Sequence, residues 1–364
     1  MASILILGVK VPFTSGGQEA LVRSLQGQLK QRGHQVDLVE IPLQVLPKER
    51  LVEQCAVWRS YDFSQWSGQE VDLVIATKFP SYYARAKRKS LWLVHQHRAM
   101  YDLYGTRYSD FSDDPRDEAL RSMLVDGDNK VLREFQFVSG ISKNVIERLQ
   151  TFNQVAGTTL YPPLPLGSAY YHAQAKPYIL SVGRICSIKR VDLIIKALPM
   201  IHQFVTLKIV GTPDEPAIME YLKNEIAKHH LADRIEFLGR VSDEDLLRLY
   251  AESLAVYYGP YNEDYGYVTL EAFASSKPVV TCTDSGGVLE FVQHDVQGLI
   301  SEPTPDALSK AVNRIVEDQA FAAALGQRGR QTLEALGLHA HGWDDVIAGL
   351  LSPLQTEDSR KEAK

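Results

Sequence analysis

Short runs of apolar, largely β-branched residues alternate with longer amphipathic stretches along most of the chain. In the first half the apolar runs are SILILGV, QVDLVEI, VDLVIAT and SLWLVHQ, and FQFVSGIS follows them. An amphipathic stretch from Gln18 to Arg32, closed by Gly33, separates the first two runs. Buried strands that alternate with helices are typical of parallel sheets with helical crossovers. The pattern therefore predicts a doubly wound α/β domain.

The alternation is interrupted near Tyr161 by the segment YPPLPLGS. Three prolines within four residues exclude a helix interior or a central strand and favour an extended connection. Strand patterns then restart with PYILSVGR, VTLKIVG, RIEFLGR, AVYYGP and PVVTCTDSG. We therefore predict two Rossmann-like domains, 1–165 and 166–338, whose strand ends face a central cleft. The remaining residues, 339–364, are expected to form a helix that returns to the first domain, followed by a frayed tail.

Composition agrees with a folded protein of two domains. The chain has 364 residues, of which 45% are hydrophobic and 23% charged, which excludes disordered and membrane-bundle classes. The apolar run from Ile4 to Val9 is too short for a signal peptide or a membrane span. Cys55, Cys186 and Cys282 lie far apart without CxxC spacing, so neither a disulfide framework nor a zinc site is expected. These features predict a cytoplasmic protein.

The formal net charge of −6 gives no reason to expect a nucleic-acid partner. Basic residues slightly exceed acidic ones in residues 1–165, whereas acidic residues dominate the rest. The first half contains the basic run Arg85, Lys87, Arg88 and Lys89. Such a run favours either weak peripheral contact with the inner face of an anionic membrane or an ordinary solvated loop.

The segment YNEDYGYVTLEAFASSKPVV contains two glutamates, Glu263 and Glu271, separated by seven residues. Gly266 permits a tight turn before a helix, so Glu263 would lie in the entering loop and Glu271 within the helix. Eight residues of helix span only about 12 Å, so the two carboxylates could bind hydroxyls at both ends of one elongated ligand. Free backbone amides at Val268 and Thr269, where the helix starts, could bind phosphate oxygens.

A second motif, SVGRICSIKR, places Gly183 and Arg184 at a strand end and Lys189 just before a helix. Cations near a helix start could stabilise the negative charge of a phosphorylated ligand together with the helix dipole. Arg184 and Lys189 are the candidate cations. An arginine that caps a strand and a lysine that faces solvent would give the same pattern.

With its E-x7-E and G-R-x4-K motifs, the sequence resembles the retaining GT-B glycosyltransferases of family four, also called glycosyl transferases group 1. The resemblance covers most of the chain and is strongest from about Tyr178 to Gly298. It implies transfer of a sugar from a nucleoside-diphosphate sugar to a hydroxyl of a glycan, lipid-linked or small-molecule acceptor. The anomeric configuration would be retained, and neither metal nor cofactor would be required. Glu263 would contact the transferred sugar, and Glu271 would contact the ribose.

The same resemblance implies a wider set of site residues. The donor-binding residues would be Gly17, Arg184, Lys189, Glu263, Gly266, Tyr267, Val268, Thr269 and Glu271. Gly17 comes from FTSGGQEALVRSL, where two glycines precede a helix and could lie near the donor phosphates, although a plain turn explains them too.

Histidines follow the buried strand of LWLVHQHRAMYDLYG, where a residue that lines the cleft would emerge. By the resemblance, His95 fits best as a catalytic residue beside Glu263, and His97 stays an alternative. A structural pair of histidines is also open. A metal site at the pair lacks carboxylate or cysteine partners at a recognisable spacing.

Two polar stretches have simpler interpretations. The segment Gly105 to Lys130 is rich in turn formers, which favours an acceptor-side flap or a surface excursion over a core element. Asp243 and Asp245 follow Ser242 at the start of a helix that runs to Glu252, so we interpret them as capping residues rather than metal ligands.

Other functional classes share this architecture. A nucleotide-sugar epimerase and an inactive partner subunit of another transferase are the alternatives, and the intact donor motifs favour transfer over both. A dehydrogenase would need the G-x-G-x-x-G fingerprint, which the sequence lacks.

Overall fold

The chain, represented by a computed structural model, forms two compact units, Met1–Pro165 with His341–Lys364, and Leu166–Ala340. The structure describes residues 1–12, 16–338 and 342–361, with side chains through residue 355. The boundary between the units follows Pro165, the last proline of the extended segment. Each unit is built on its own parallel sheet, and the α/β class predicted from the sequence is confirmed.

Within the described residues, the first unit has a six-stranded sheet in the order β2-β1-β5-β6-β7-β8. Its strands are β1 (Ser3–Lys10), β2 (Gln35–Pro42), β5 (Leu73–Lys78), β6 (Lys89–His95), β7 (Phe137–Gly140) and β8 (Thr158–Thr159), while β3 (Gln65–Trp66) and β4 (Gln69–Glu70) pair as a separate hairpin. The central strands are buried on both faces, as the unbroken apolar runs require of a parallel sheet covered by helices.

Besides its C-terminal helix, the first unit has the α-helices α1 (Gly17–Gln31), α2 (Arg50–Ser60), α3 (Pro115–Val131) and α4 (Lys143–Asn153). The apolar pattern did not indicate α2 or α3. Most of the segment from Gly105 to Lys130, for which a flap or a surface excursion was expected, forms helix α3, and most of the side chains of that helix are exposed or partly exposed. Asp114 caps α3 by accepting a hydrogen bond from the Arg116 amide at 2.8 Å, and Pro115 occupies the first turn, where its missing N–H costs nothing.

The C-terminal helix α11 (Trp343–Lys361) lies against the sheet of the first unit. The Ser90 hydroxyl of β6 donates to the Leu350 carbonyl at 2.7 Å, and the Trp92 and Trp343 rings meet edge to face at 5.9 Å. This helix therefore completes the apolar cover over β6.

The basic run of the first unit does not form one continuous surface. Arg85 and Lys87 are exposed, but Lys89 opens β6 with a side chain that is only 2% exposed. Its ammonium pairs with Glu134 at 3.1 Å, and burial lowers the pKa of Lys89 although Glu134 opposes the shift. Lys89 is therefore a buried ion-pair partner, and the surface patch predicted from all four residues is wrong at this position.

The second unit, within the described residues, has a six-stranded parallel sheet in the order β11-β10-β9-β12-β13-β14. Its strands are β9 (Tyr178–Val182), β10 (Thr206–Val210), β11 (Ile235–Gly239), β12 (Ala255–Tyr257), β13 (Val279–Cys282) and β14 (Gly298–Ser301), and its α-helices are α5 (Val191–Ala197), α6 (Pro216–Lys228), α7 (Asp243–Glu252), α8 (Tyr267–Ala274), α9 (Pro305–Glu317) and α10 (Gln319–Ala335). The core lies between this sheet and its helices.

The strand order reverses between β9 and β12, which pair directly through Ala255 with Ile179 and Val256 with Leu180. Successive strands β10 and β11 lie on one side of β9, whereas β12, β13 and β14 lie on the other. In open α/β sheets, ligands bind beyond the carboxyl ends of the strands at such a switch point. A ligand site is therefore expected at the loops that follow β9 and β12.

Candidate functional site

Lys189 and Glu263 meet beyond the carboxyl ends of β9 and β12. Their side chains form an ion pair, and both are largely buried, with 17% and 16% exposure. The Lys189 ammonium also lies 3.0 Å from the Tyr258 hydroxyl. Burial alone would lower the pKa of Lys189, but the Glu263 carboxylate and the Tyr258 hydroxyl raise it well above its usual range. Lys189 is thus a fixed positive charge at the switch point.

Arg184 lies on the same loop but has a different partner. Its guanidinium pairs with Asp214 at 2.6 Å and remains about half exposed. Gly183 and Gly211 allow this arrangement, because a Cβ on Gly211 would lie only 1.8 Å from the Gly183 carbonyl oxygen. The structure brings Lys189, but not Arg184, into an ion pair with Glu263; convergence of both cations on one anion remains a prediction.

Helix α8 begins at Tyr267, four residues after Glu263. Gly266 caps it with φ +86°, a conformation that favours glycine, and a Cβ there would approach Tyr258 Cε1 at 3.2 Å. The Thr269 amide donates to the Gly266 carbonyl at 3.0 Å, so the expectation of a free amide is wrong for Thr269. Val268 lies between them in the first turn, where the positive end of the helix dipole is located.

Glu271 lies in the buried part of α8, with 9% of its surface exposed. The Tyr250 hydroxyl of α7 donates to its carboxylate at 2.6 Å. Burial raises the pKa of Glu271, and the hydroxyls of Tyr250 and Tyr170 act in the opposite direction. The two glutamates of the E-x7-E motif therefore have different environments, one paired with a cation and the other surrounded by phenols.

The loop that carries Glu263 is fixed by a second loop after β13. The Glu263 amide donates to the Ser285 carbonyl at 3.1 Å, and the Gly287 amide donates to the Glu263 carbonyl at 2.7 Å. Gly286 has φ +59°, and a Cβ there would lie 2.5 Å from Asn262 Oδ1. Only a residue without a side chain fits this approach, so the Gly286-Gly287 pair is required to place Glu263.

Sequence reasoning missed several residues of this cluster. Tyr258, Tyr250 and Asp214 each bind one of the predicted charged residues, yet none belongs to a motif with a recognisable spacing. The adjacent glycines at 286 and 287 were the available signal, since a glycine pair after a buried strand often marks close backbone approach.

In the first unit, the glycine loop is described only in part. Residues 13–15 of FTSGG lie outside the described residues. Gly17 is the first residue of α1, and the Gly16 amide donates a hydrogen bond to the Glu19 carboxylate at 2.8 Å in a capping interaction. The role of Gly17 toward a ligand remains a prediction.

The histidines after β6 have different surroundings. His95 ends the strand, is partly exposed, and its Nδ1 lies 2.7 Å from the Gln96 carbonyl oxygen. His97 packs its ring against Phe79 at 5.5 Å and Phe111 at 6.2 Å, and burial lowers its pKa. His97 is thus packed between two aromatic rings, whereas His95 is partly exposed at the strand end; the role of either histidine toward a ligand stays a prediction.

The described residues show neither a metal-ion cluster nor a membrane-spanning helix. No group of three His, Cys, Asp or Glu side chains among them is arranged to hold a metal ion. In the same part of the chain, none of the helices is both long and apolar enough to cross a membrane. Asp243 and Asp245 lie in the first turn of α7, as the predicted helix start requires. The capping residue, however, is Ser242, whose hydroxyl accepts from the Asp245 amide at 3.1 Å, so the interpretation of the two aspartates as caps is corrected to first-turn residues.

Comparison with known families identifies the second unit. The sequence model of the family described as glycosyl transferases group 1 matches residues 169–332, nearly the whole unit. The second unit therefore matches the glycosyl transferases group 1 family. The family predicted from the E-x7-E and G-R-x4-K motifs is therefore confirmed, and the Lys189–Glu263 pair lies inside the group 1 region.

Individual relatives match about half of this chain. An uncharacterized glycosyltransferase of Methanocaldococcus jannaschii is 29% identical over 171 residues, which cover 46% of this chain and 42% of that protein. The human alpha-1,3/1,6-mannosyltransferase ALG2 is 27% identical over 212 residues, which cover 54% of this chain and 49% of that protein. The matched regions thus span about half the length of these relatives.

Similarity of fold extends over both units. Sucrose-phosphate synthase from Thermosynechococcus elongatus superposes with a TM-score of 0.77 at 20% identity, and the match covers 100% of both chains. At this identity the likeness concerns the fold alone. It agrees with the GT-B class, in which two parallel α/β sheets follow one another along the chain.

Proposed function

We propose that this group 1 protein is a retaining glycosyltransferase that moves a sugar from a nucleoside-diphosphate sugar to an acceptor hydroxyl. The observation that carries the proposal is the Lys189–Glu263 ion pair at the switch point, next to the N-terminus of α8. A fixed cation, a carboxylate and a helix dipole at one point suit a ligand that joins a diphosphate to a polyhydroxylated ring.

The ion pair suggests how a donor would bind. The diphosphate would replace Glu263 as the partner of the Lys189 ammonium, which frees the Glu263 carboxylate to accept hydrogen bonds from sugar hydroxyls. Arg184 would turn from the exposed Asp214 toward the phosphates, since surface ion pairs of this kind are weak and easily exchanged. Charge on the departing diphosphate would be stabilised mainly by these cations and by the dipole of α8.

The other predicted residues would complete the donor site. Glu271 would accept hydrogen bonds from the ribose while Tyr250 holds its carboxylate in place. Gly17 would bring the start of α1 near the phosphates, and His95 would contact the reacting sugar. Gly266 and Tyr267 would shape the start of α8 around the diphosphate.

Retention would follow from attack of the acceptor on the face that the diphosphate leaves. The departing phosphate would take the proton from the acceptor hydroxyl, so Glu263 would position the sugar and would not form a covalent bond to it. Neither a metal ion nor a cofactor is required in this proposal, because protein cations neutralise the leaving group.

We also propose a cytoplasmic location, with contact between the first unit and the inner membrane face restricted to the exposed basic residues.

The rival functions predict different chemistry at the same site. An epimerase would interconvert free nucleotide sugars without releasing nucleoside diphosphate, and an inactive partner would bind a donor without consuming it. The pairing of Lys189 with Glu263 favours transfer, because a cation at the diphosphate serves departure of the leaving group.

The test is release of nucleoside diphosphate from UDP-glucose, GDP-mannose and related donors, measured without added metal and with simple sugar acceptors. We expect release with at least one donor and its loss by about 100-fold in Glu263→Ala. Glu317→Ala is the matched control, because that glutamate lies on α9 with an exposed side chain that contacts His202. Interconversion of donors without release, or an unchanged rate in Glu263→Ala, would exclude the proposed mechanism.

A further inference from the structure

Arg190 follows Lys189 directly and has an unusual backbone and environment. It has φ +51° and ψ +42°, a left-handed conformation that non-glycine residues rarely adopt, immediately before α5. Its side chain is only 7% exposed. A guanidinium placed this deep must have its donors satisfied, since a buried unpaired charge is costly.

The guanidinium makes four hydrogen bonds to two other loops. Nε donates to the Gly259 carbonyl at 2.7 Å, and Nη2 donates to the Pro260 carbonyl at 2.8 Å. Nη1 and Nη2 donate to the two carboxylate oxygens of Asp284 at 2.8 and 2.6 Å. The bidentate geometry fixes direction as well as distance, which a lysine could not do.

These contacts enclose the backbone that carries Glu263. Gly259 and Pro260 lead into its loop from β12, and Asp284 belongs to the second loop that supports it. The Asn262 amide donates to the Asp284 carbonyl at 2.8 Å, one residue before Glu263. One side chain therefore holds both loops that determine where the Glu263 carboxylate lies.

Arg190 is itself held at the loop that carries Lys189. Its carbonyl accepts a hydrogen bond from the buried Tyr257 hydroxyl at 3.0 Å, and the Tyr261 amide donates to the Ile188 carbonyl at 2.8 Å. The loops after β9, β12 and β13 are thus joined at one residue. The separation between Lys189 and Glu263 depends on this junction.

We propose that Arg190 is a positioning residue for sugar transfer, which fixes Glu263 relative to Lys189 without contacting the donor. The inference rests on the proposed function of the Lys189–Glu263 pair. Four of the five guanidinium donors are already used by the protein, and the side chain is enclosed by three loops. Its effect must therefore pass through the placement of Glu263.

The experiment compares Arg190→Gly and Arg190→Lys with the wild type. Glycine keeps the left-handed backbone and leaves a space for free guanidinium, whereas lysine keeps the charge and loses the bidentate contacts. We expect Arg190→Gly to lower kcat for donor hydrolysis by about 100-fold, the size expected when a sugar-contacting group is misplaced by about 1 Å. The dissociation constants of UDP and GDP, which lack the sugar, should change by less than about threefold.

Two further readouts separate positioning from general stability. Millimolar guanidinium should restore kcat in Arg190→Gly but not in Arg190→Lys. Backbone hydrogen exchange at residues 261–263 and 287 should accelerate in both variants and slow again with guanidinium in Arg190→Gly only. Arg234→Gly is the matched control, because Arg234 likewise donates to several backbone carbonyls, those of Leu198, Ile201, His202 and Val205, but these lie in the connection between α5 and β10 and not in the three loops.

The outcomes distinguish this inference from the proposed function. A kcat of Arg190→Gly within threefold of wild type, or an equal loss in Arg234→Gly, would overturn the positioning role. So would a loss of UDP and GDP affinity as large as the loss of kcat. If the wild type neither binds UDP or GDP nor hydrolyses their sugars, the proposed function fails. Unchanged hydrogen exchange in the Arg190 variants would separately refute the role of Arg190 in holding the three loops together.

Discussion

Removal of the Tyr258 hydroxyl tests whether Lys189 is oriented for a diphosphate. In Tyr258→Phe the ring remains, so its packing beside Gly266 is preserved, and the hydrogen bond of 3.0 Å to Lys189 is lost. When a diphosphate displaces Glu263, Tyr258 would be the remaining side chain that holds the ammonium. A hydrogen bond to a charged group contributes about 1.5–3 kcal/mol, which corresponds to roughly a 10- to 100-fold loss of kcat/KM.

The assay is donor hydrolysis followed by release of nucleoside diphosphate, with unfolding in urea measured in parallel. Stability should fall by only about 1 kcal/mol, because Lys189 keeps Glu263 in the free protein. Tyr178→Phe is the matched control, because it also removes a buried hydroxyl. Tyr178 is the first residue of β9, and its hydroxyl donates to the Leu249 carbonyl at 2.7 Å. Equal kcat/KM in Tyr258→Phe and wild type, or an equal loss in the control, would refute the reasoning.

Three further predictions follow from particular contacts. In isothermal titration, Glu271→Gln should weaken the affinity for UDP or GDP by about 10-fold, and the affinity for the 2′,3′-dideoxy analogues should fall much less. An equal loss of affinity for both kinds of nucleotide would show that Glu271 does not bind the ribose. Gly286→Ala should abolish most donor hydrolysis while the chain stays folded by circular dichroism, because its Cβ would lie 2.5 Å from Asn262 Oδ1; normal activity would show that this loop does not place Glu263. Burial raises the pKa of Asp128 to about 6 from 3.8, so its stabilising contribution is present at low pH and is lost as pH rises through 6. When the pH is lowered from 8 to 5, the free energy of unfolding of the wild type in urea should therefore rise by about 1 kcal/mol from this group. The same measurement on Asp128→Asn should lack that rise.

Much of the fold was predictable because strands and capped helices are local features. The helix from Asp243 to Glu252 has the bounds that its acidic first turn and Ser242 cap indicated. The first strand extends from Ser3 to Lys10, one residue beyond each end of the predicted apolar run. Buried parallel strands give unbroken apolar runs, so their positions follow directly from sequence.

Helix α3 could not be predicted from its apolar pattern. It is mostly polar, and its buried face includes an aspartate, Asp128, which accepts hydrogen bonds from the hydroxyls of Tyr82, Tyr83 and Tyr101 at 2.6–2.7 Å. Its glycine, Gly127, permits close approach, since a Cβ there would lie 2.6 Å from the Tyr83 hydroxyl. Tertiary contacts of this kind override local propensity.

The site was predictable in its charged residues but not in how they pair. The two motifs indicated Lys189 and Glu263, and these form one ion pair. Sequence spacing could not show that Arg184 forms an ion pair with Asp214, or that the Tyr258 hydroxyl contacts the Lys189 ammonium, because these pairings depend on how separate loops meet. Arg190 went unnoticed for the same reason, since its partners lie about 70 and 94 positions away in sequence.

A structure of the chain with bound UDP or GDP tests the central claim most directly. The account predicts a phosphate oxygen about 3 Å from the Lys189 ammonium, at the start of α8, with the Glu263 carboxylate released from that ammonium. A nucleotide bound elsewhere, with the Lys189–Glu263 pair still intact, would contradict it.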